Sequence, residues 1–237
     1  GGGDQHGGGG GAGGLIYMPN YKISIITLGL SANDIEATLA DFTRFNSPDN
    51  QFIIVTPHHS TFSSLSTLDI TIVKDTRIGI YQAMNLGLIK ASGDLIWFLN
   101  SGDYCHSPST PLFLTSFLSS NNYISSNVVF LYPSFLHHLC SILSPHFLKS
   151  FIQLSLLFMI MPASHQNLLI SRNLHTPFSC TSAFSSDFEL LLDLAFNPLT
   201  KFSTLSFPLS RLSPGGVSDL YRKTVLRDRY MLLAARF

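Results

Sequence analysis

The stretch GIYQAMNLGLIKASGDLIWFLNSGDYCH, residues 79–106, predicts a helix, a strand and an acidic turn in direct succession. Apolar residues recur at helical spacing over residues 80–91. Residues 95–99 (LIWFL) form an apolar run with the length of a buried strand. The polar turn Asn-Ser-Gly-Asp follows at residues 100–103. This order places an acid, Asp103, just beyond the carboxyl end of a strand.

The segments before this stretch continue the alternation of strand and helix. Residues 23–27 (ISIIT), 51–55 (QFIIV) and 69–73 (DITIV) are short runs rich in β-branched residues, as in strands. Residues 34–45 carry apolar side chains at helical spacing. The alternation predicts an α/β fold with a mainly parallel sheet. Ligands bind such sheets beyond the carboxyl ends of the strands, where residues 100–103 fall.

The acid in this turn has two interpretations. A carboxylate at this place could bind Mg²⁺ or Mn²⁺, which takes one or two protein carboxylates and completes its shell with water and phosphate oxygens. The alternative is an ordinary turn, because Asn, Ser, Gly and Asp all favour turns. Spacing alone leaves both interpretations open.

The composition sets limits on function. The 237 residues are 45% hydrophobic, enough for one domain with a substantial core. Lys and Arg together number 14, as do Asp and Glu, so no net charge attracts nucleic acid. The apolar runs predict neither a membrane span nor a signal peptide. Three widely spaced cysteines favour a reducing compartment, so a cytoplasmic location is expected. Residues 1–14 are nearly all glycine and are expected to form a disordered leader.

Several segments together resemble the family 2 glycosyltransferases, especially those that build bacterial exopolysaccharide and O-antigen repeats. GIYQAMNLG, ASGD and FLNSGDYCH resemble the central block of that family. ISIIT resembles its first nucleotide-binding strand, and MPASHQNLLISRNL its His-Gln segment. SSDFELLLDL resembles its late acidic helix, and PGGVSD its C-terminal glycine loop. The resemblance covers about residues 23–219 in the family's order.

The resemblance implies a fold and a reaction. The fold is GT-A, Rossmann-like, with a mainly parallel central sheet flanked by helices and a helical acceptor-side region. Residues 15–107 are expected to form the donor half and residues 108–237 the acceptor half. The implied reaction is an inverting transfer of a sugar from a nucleotide-diphosphate-sugar to an acceptor hydroxyl in bacterial surface polysaccharide synthesis. The implied acceptor is a saccharide or a polyprenyl-diphosphate-linked sugar, and contact with the inner face of the plasma membrane is an associated expectation.

The resemblance also implies roles for particular residues. Asp103 corresponds to the acid that binds the Mn²⁺ or Mg²⁺ ion. The donor side is expected to comprise Thr27, Thr56, Tyr81, Asn100, Ser101, Gly102 and Asp103. The acceptor side and the C-terminal loop are expected to comprise His165, Gln166, Gly215, Gly216 and Ser218.

The acidic segment SSDFELLLDL contains the candidate general base. The resemblance places Asp187 on the acid that takes the proton of the acceptor hydroxyl, with Glu189 as the second choice. From the residues alone, the favoured role of Asp187 is the N-cap of the helix that follows. His165 could contact substrate or satisfy a local hydrogen bond.

Some positions depart from the family's pattern. Thr56 stands where the family commonly has an Asp that binds the nucleobase, and Gln82 stands where Asp is usual. Arg77 occupies a place that is often acidic, and Gly102 replaces a second acid in the turn. These departures motivate an alternative from another class, a sugar-nucleotide-binding or scaffold protein without turnover.

Three other features allow more than one interpretation. The spacing of the His and Cys residues over 137–146 fits no familiar zinc site, which favours packing or surface roles. The apolar helical pattern over 147–161 predicts a core or lid helix, or an interfacial helix that rests on a membrane. The basic residues over 222–236 could bind phosphate or anionic lipid, or form a solvated helix face.

Overall fold

The computed structural model describes residues 22–44, 50–62, 70–76, 79–100, 102–105, 128–132, 140, 142–211 and 220–237. Several predictions fall outside these residues. They are the glycine-rich leader at 1–14, the Arg77 position, two of the histidines near residue 140, and the site residues Ser101, Gly215, Gly216 and Ser218.

Strand and helix alternate through the first half of the chain, as predicted. The elements are β1 (Ile23–Leu28), α1 (Ala32–Arg44), β2 (Asn50–Thr56), α2 (His59–Phe62), β3 (Ile70–Lys74), α3 (Ile80–Lys90) and β4 (Leu95–Phe98). The later elements are β5 (Tyr104–Cys105), β6 (Val128–Leu131), α4 (Pro145–Leu157), a 3₁₀ turn (His165–Asn167), β7 (Leu168–Ser171), α5 (Ser186–Phe196), β8 (Lys201–Thr204), β9 (Ser210–Arg211) and α6 (Arg222–Arg236).

In the described part of the chain, the main sheet has the strand order β3-β2-β1-β4-β7-β6-β8. Only β7 among these strands is antiparallel to its neighbours, β4 and β6. The predicted α/β class with a mainly parallel sheet is therefore confirmed. The chain moves outward from β1 to β2 and β3, then returns to the other side of β1 for β4. This reversal brings the carboxyl ends of β1 and β4 side by side, where α/β sheets bind ligands.

Alternate side chains of each strand enter two separate hydrophobic cores. Ile25 and Phe52 face the core that α1 covers, whereas Ile26 and Ile53 face the core that α3, α4 and α5 cover. Successive side chains of a strand point to opposite faces, so a strand buried on both faces must be apolar at nearly every position. The short, almost uninterrupted apolar runs in the sequence have this cause.

Helix α3 lies unusually close to the sheet at one glycine. A β-carbon added to Gly87 would lie 2.4 Å from Ile26 Cγ2 and 3.2 Å from Val55 Cγ2. Both contacts are to β-branched side chains of the sheet, which have little freedom to move aside. The glycine therefore permits the close approach of α3 to β1 and β2.

Helix α4 is shorter than the apolar pattern predicts. The pattern continues to residue 161, but the helix ends at Leu157. Met159 has a φ of 60°, a left-handed conformation that cannot continue an α-helix. The helix buries Leu148, Ile152 and Leu156 in the core, as the core interpretation requires.

The opposite side of α4 is exposed and largely apolar. Phe147, Leu154 and Leu157 are exposed there, and Phe158 follows just beyond the end of the helix. The polar residues His146 and Ser150 are exposed on the same helix. Lys149 does not contribute its ammonium group to this exposed face. Its Nζ donates to the carbonyls of Asn197 at 2.5 Å and Thr200 at 3.0 Å. Among the described residues, no helix combines the length and the hydropathy that a membrane crossing requires.

The close approach at Gly87 can be tested with Gly87→Ala. We expect a loss of about 1–2 kcal/mol in the free energy of unfolding, measured by urea denaturation. Overpacking typically costs about 1–3 kcal/mol, and a β-carbon 2.4 Å from a β-branched side chain should cost about 2–3 kcal/mol. The better helix propensity of alanine, about 1 kcal/mol, offsets part of this cost. Ile89→Ala, on the exposed side of the same helix, should change stability by less than about 0.5 kcal/mol. An equally stable or more stable Gly87→Ala protein would contradict the close packing.

Candidate active site

The acidic turn after β4 is built around a glycine with positive φ. Asp103 N donates to Asn100 O at 3.1 Å, which closes the turn. Gly102 has a φ of +88°, where side chains are strained, although nothing lies within 4 Å of where its β-carbon would be. The backbone thus favours glycine at a position where many family members have an acid. The turn projects Asp103 beyond the carboxyl end of β4 in a half-buried position.

The side-chain amide of Gln166 contacts both ends of this turn. Its Oε1 accepts from Asn100 N at 3.3 Å, and its Nε2 donates to Asp103 Oδ2 at 2.6 Å. Gln166 is buried. The resemblance assigns this residue to the acceptor side, whereas its contacts here are with the donor-side turn.

Hydrogen bonds hold the 3₁₀ turn that carries Gln166 against both sheets. Trp97 Nε1 and Ser210 Oγ both donate to the Gln166 carbonyl, at 2.9 Å and 3.2 Å. Asn167 Oδ1 accepts from Leu209 N at 2.8 Å and from Ser210 N at 3.1 Å. The turn is therefore held by buried hydrogen bonds from β4 and from the start of β9.

Asp187 lies in the first turn of α5 and is not its N-cap. Ser185 occupies the cap position. Asp187 Oδ1 accepts from Tyr81 Oη at 3.1 Å and from Phe188 N at 2.9 Å. Asp187 Oδ2 lies 3.5 Å from His165 Nδ1. The N-cap interpretation is therefore wrong, and the carboxylate faces α3 and the 3₁₀ turn.

The surroundings of Asp187 favour its ionised form. Burial alone would raise the pKa of the carboxyl, but His165, the Phe188 N–H and the charge of Arg229 hold that pKa below its ordinary value. Burial and the Asp187 charge raise the pKa of the Tyr81 phenol, which therefore remains a hydrogen-bond donor. The pair thus joins a carboxylate to a neutral phenol at neutral pH.

Arg229 is a site residue that the sequence pattern did not identify. Its guanidinium lies 5.1 Å from the centroid of the Phe188 ring, and its Nη1 donates to Met159 O at 2.9 Å. The sequence groups it with the exposed cations of α6, but the spacing Val225, Arg229, Leu232 puts it on the helix side that faces the core. This spacing is the signal that could have identified it.

The remaining basic residues of α6 do not form one cluster. Arg222, Lys223 and Arg227 are exposed, and Arg236 forms an ion pair with Asp193 of α5. The C-terminal cations are thus divided between an inward-facing guanidinium, an exposed group and a surface ion pair.

His165 connects the two acids of the site. Its Nε2 lies 3.5 Å from Asn100 Nδ2, and its Nδ1 faces Asp187. With the contacts of Gln166, polar contacts run from Tyr81 through Asp187, His165 and Asn100 to Gln166 and Asp103. Both ring nitrogens of His165 thus have side-chain neighbours within the protein, and its substrate role stays a prediction.

A small cavity lies beneath this network. It has room for about one water molecule. Its polar lining is formed by His165, His175 and Asp187, and apolar residues such as Phe98 and Phe178 complete it. His175 Nδ1 contacts Thr176 O at 2.9 Å, and burial lowers the pKa of the imidazole to about 4, so the ring is neutral. No sequence pattern indicated His175 as a site residue.

The two threonines predicted on the donor side lie near the carboxyl ends of neighbouring strands, Thr27 one residue before the end of β1 and Thr56 at the end of β2. Thr27 Oγ1 is buried and has no hydrogen-bond partner among the described residues. Thr56 Oγ1 accepts from His58 N at 3.1 Å, and His58 Nε2 lies 3.2 Å from Leu30 O. Thr56 therefore holds the turn after β2, at the place where the family commonly has an acid for the nucleobase.

The oxygen chemistry of the acidic turn fits a hard divalent cation. Mg²⁺ and Mn²⁺ prefer oxygen ligands, and one protein carboxylate suffices when substrate phosphates and water complete the shell. Asp103 offers such a carboxylate beyond the end of β4. Within the described ranges, no three His, Cys, Asp or Glu side chains form a group that could hold a metal ion by themselves.

The chain resembles known proteins in fold rather than in sequence. No protein-family model matches it, and no curated protein matches its sequence. The crystal structure of TarS from S. aureus matches 88% of the chain with a TM-score of 0.60 at 17% identity. The mannosyltransferase PcManGT from Pyrobaculum calidifontis, in complex with GDP-Man and Mn²⁺, matches 94% with a TM-score of 0.61 at 14% identity. Glucosyl-3-phosphoglycerate synthase from Mycobacterium tuberculosis, in complex with Mn²⁺, UDP-glucose and phosphoglyceric acid, matches 88% with a TM-score of 0.56 at 17% identity.

These similar structures are GT-A glycosyltransferases. The chain has the GT-A fold. The predicted fold class is thereby confirmed, and identities this low establish the fold alone. The chain spans 39% of the TarS structure, 66% of the mannosyltransferase and 79% of the synthase.

The ionisation of Asp187 can be tested through the pH dependence of stability. Its folded-state pKa lies below the ordinary value of 3.8, so its contribution is present above that value and is lost as the pH falls through the folded-state pKa. Wild type should therefore exceed Asp187→Asn in free energy of unfolding at pH 7, and the difference should shrink towards pH 3.

Urea denaturation of both proteins across this pH range measures the difference. Asp193→Asn is the matched control, because it removes an exposed carboxylate from the same helix. Its effect should remain small, since a surface ion pair contributes about 0–1 kcal/mol. A wild-type advantage over Asp187→Asn that stays constant from pH 7 to pH 3 would contradict the stabilised carboxylate.

Proposed function

We propose that the protein transfers a sugar from a nucleotide-diphosphate-sugar to an acceptor hydroxyl with inversion. The observation that carries the proposal is the arrangement of two acids in a GT-A fold. Asp103 and Asp187 come from distant parts of the sequence, yet they contact consecutive residues of one buried turn, Gln166 and His165. In this proposal Asp103 serves the donor diphosphate, and Asp187 takes the proton of the acceptor hydroxyl.

The donor would bind at the carboxyl ends of β1 and β4. Residues 15–107 would form the donor half, with Thr27, Thr56 and the turn at residues 100–103 around the nucleotide. Asp103 would be the protein ligand of Mn²⁺ or Mg²⁺, which supplies Lewis-acid stabilisation of the charge on the departing nucleoside diphosphate. The Mn²⁺ complexes of the synthase and the mannosyltransferase support a divalent cation.

Asp187 would act as the general base. The acceptor oxygen forms a bond to the anomeric carbon while the bond from that carbon to the diphosphate oxygen breaks, and the hydroxyl proton passes to the carboxylate. One displacement of this kind inverts the anomeric configuration. Tyr81 and His165 would hold the carboxylate in place, and the Arg229 charge would keep it ionised.

The acceptor half would comprise residues 108–237. The sequence resemblance supports a saccharide or polyprenyl-diphosphate-linked acceptor in bacterial surface polysaccharide synthesis. The exposed apolar side of α4 supports peripheral contact with a membrane that carries such an acceptor. The loop residues Gly215, Gly216 and Ser218 belong to this proposal through the resemblance alone.

A second candidate is a protein that binds sugar nucleotides without turnover. Thr56 favours this second candidate. Its hydroxyl already accepts a hydrogen bond from His58 N, and the position lacks the acid that would bind a nucleobase. Assays of transfer and of donor hydrolysis separate the candidates. Donor binding by the wild type without either reaction would favour the second one.

Asp103→Ala tests the cation site. We expect the variant to lose the Mn²⁺-dependent part of its affinity for UDP-sugars or GDP-sugars, measured by calorimetry with and without Mn²⁺. The fold should persist, because the half-buried turn carries little packing. Asp193→Ala, remote from the turn, should bind as the wild type does. Unchanged Mn²⁺-dependent affinity in Asp103→Ala would rule out this ligand.

Asp187→Asn tests the general base. A positioned acid–base group contributes about 10²–10⁴-fold, so transfer should fall by that range while donor affinity stays unchanged. Glu189→Gln is the matched control on the same helix, and it should retain most turnover. Near-native transfer by folded Asp187→Asn would exclude the assignment, and a collapse in Glu189→Gln alone would move the role to Glu189.

A further inference from the structure

Two consecutive side chains of the 3₁₀ turn, His165 and Gln166, contact different acids. Gln166 has no part in the reaction described above. We propose that Gln166 is a positioning residue whose side-chain amide holds the Asp103 carboxylate in the orientation that binds a divalent cation. This inference rests on the proposed function, because it concerns the same donor site.

The hydrogen-bond chemistry allows only one orientation of the amide. A backbone N–H can only donate, and an ionised carboxylate can only accept. Asn100 N therefore requires the Oε1 of Gln166, and Asp103 requires the Nε2. Both demands are met by one planar group, so the amide fixes the carboxylate relative to the backbone of its own turn.

A neutral donor suits this role better than a cationic one. The hydrogen bond at 2.6 Å orients the carboxylate but adds no positive charge to it. A lysine or arginine in the same place would form an ion pair and oppose the approach of a cation. The contact with Gln166 therefore leaves the negative charge on the Asp103 carboxylate.

The support behind Gln166 is rigid. Its carbonyl accepts from the indole of Trp97, a fully buried side chain, and from Ser210 Oγ. Gln166 itself is 5% exposed. Groups that hold metal ligands act best when packing and further hydrogen bonds fix their own conformation. The central sheet, and not the loop alone, therefore fixes the position of Asp103.

Gln166→Met tests the proposal, because methionine approximates the length of glutamine but forms no such hydrogen bonds. UDP and GDP are titrated with and without Mn²⁺, and binding of Mn²⁺ alone is followed by electron paramagnetic resonance. Loss of an outer partner of a metal ligand typically lowers metal affinity about 10–100-fold. The Mn²⁺-dependent part of nucleotide affinity should fall by that range, while affinity without Mn²⁺ stays unchanged.

Two further variants complete the test. Gln153→Met makes the same substitution on α4, where the amide donates to Ala195 O at 2.8 Å and does not contact the acidic turn, so its Mn²⁺ dependence should match the wild type. Gln166→Asn keeps an amide but withdraws it by one methylene. It should show the same selective loss, and it serves where Gln166→Met does not fold.

Three outcomes would overturn the proposal. Unchanged Mn²⁺-dependent binding in the Gln166 variants would show that the amide does not position Asp103. An equal loss with and without Mn²⁺ would indicate a structural role only. If the wild type bound neither nucleotide in the presence of Mn²⁺, the proposed function would fail and this inference with it, whereas the first two outcomes leave the proposed function intact.

Discussion

The buried hydrogen bond from Trp97 Nε1 to the Gln166 carbonyl is the constraint on which the site depends. It joins the strand that ends at the acidic turn to the turn that faces both acids. Because the indole is fully buried, an unmade bond would leave a donor without water or partner. The sheet therefore determines where His165 and Gln166 lie, and those residues determine which way the Asp187 and Asp103 carboxylates face.

The first half of the fold was predictable because its signals are local. Residues 23–27 and 95–99 are apolar at almost every position, as strands buried between two layers of helices must be. The second half was not predicted as a set of strands. Strand β7 (Leu168–Ser171) runs antiparallel between β4 and β6. Its partner strands are remote in sequence, so the local pattern of apolar residues does not indicate this pairing. The end of α4 was not predicted, because Met159 adopts a left-handed conformation and methionine rarely does so.

The sequence indicated the two acids of the candidate site but not the residues that contact them. Asp103 and Asp187 stand out because each follows or begins a clear element. Gln166 was assigned to the other side of the site, since the direction of a long amide side chain depends on tertiary contacts. Arg229 was counted among exposed cations because charge alone suggests solvent, although its spacing with Val225 places it against the core.

The hydrogen bonds of the site join residues that are far apart along the chain. Trp97 and Gln166 are 69 residues apart, and Tyr81 and Asp187 are 106 apart. Closing such long loops costs chain entropy before any stabilising contact has formed. Contacts between residues this far apart in sequence therefore slow folding. The parallel half of the sheet can form from nearer neighbours, with β1 and β2 separated only by α1. We therefore expect the carboxylates to reach their final surroundings after the parallel part of the sheet has formed.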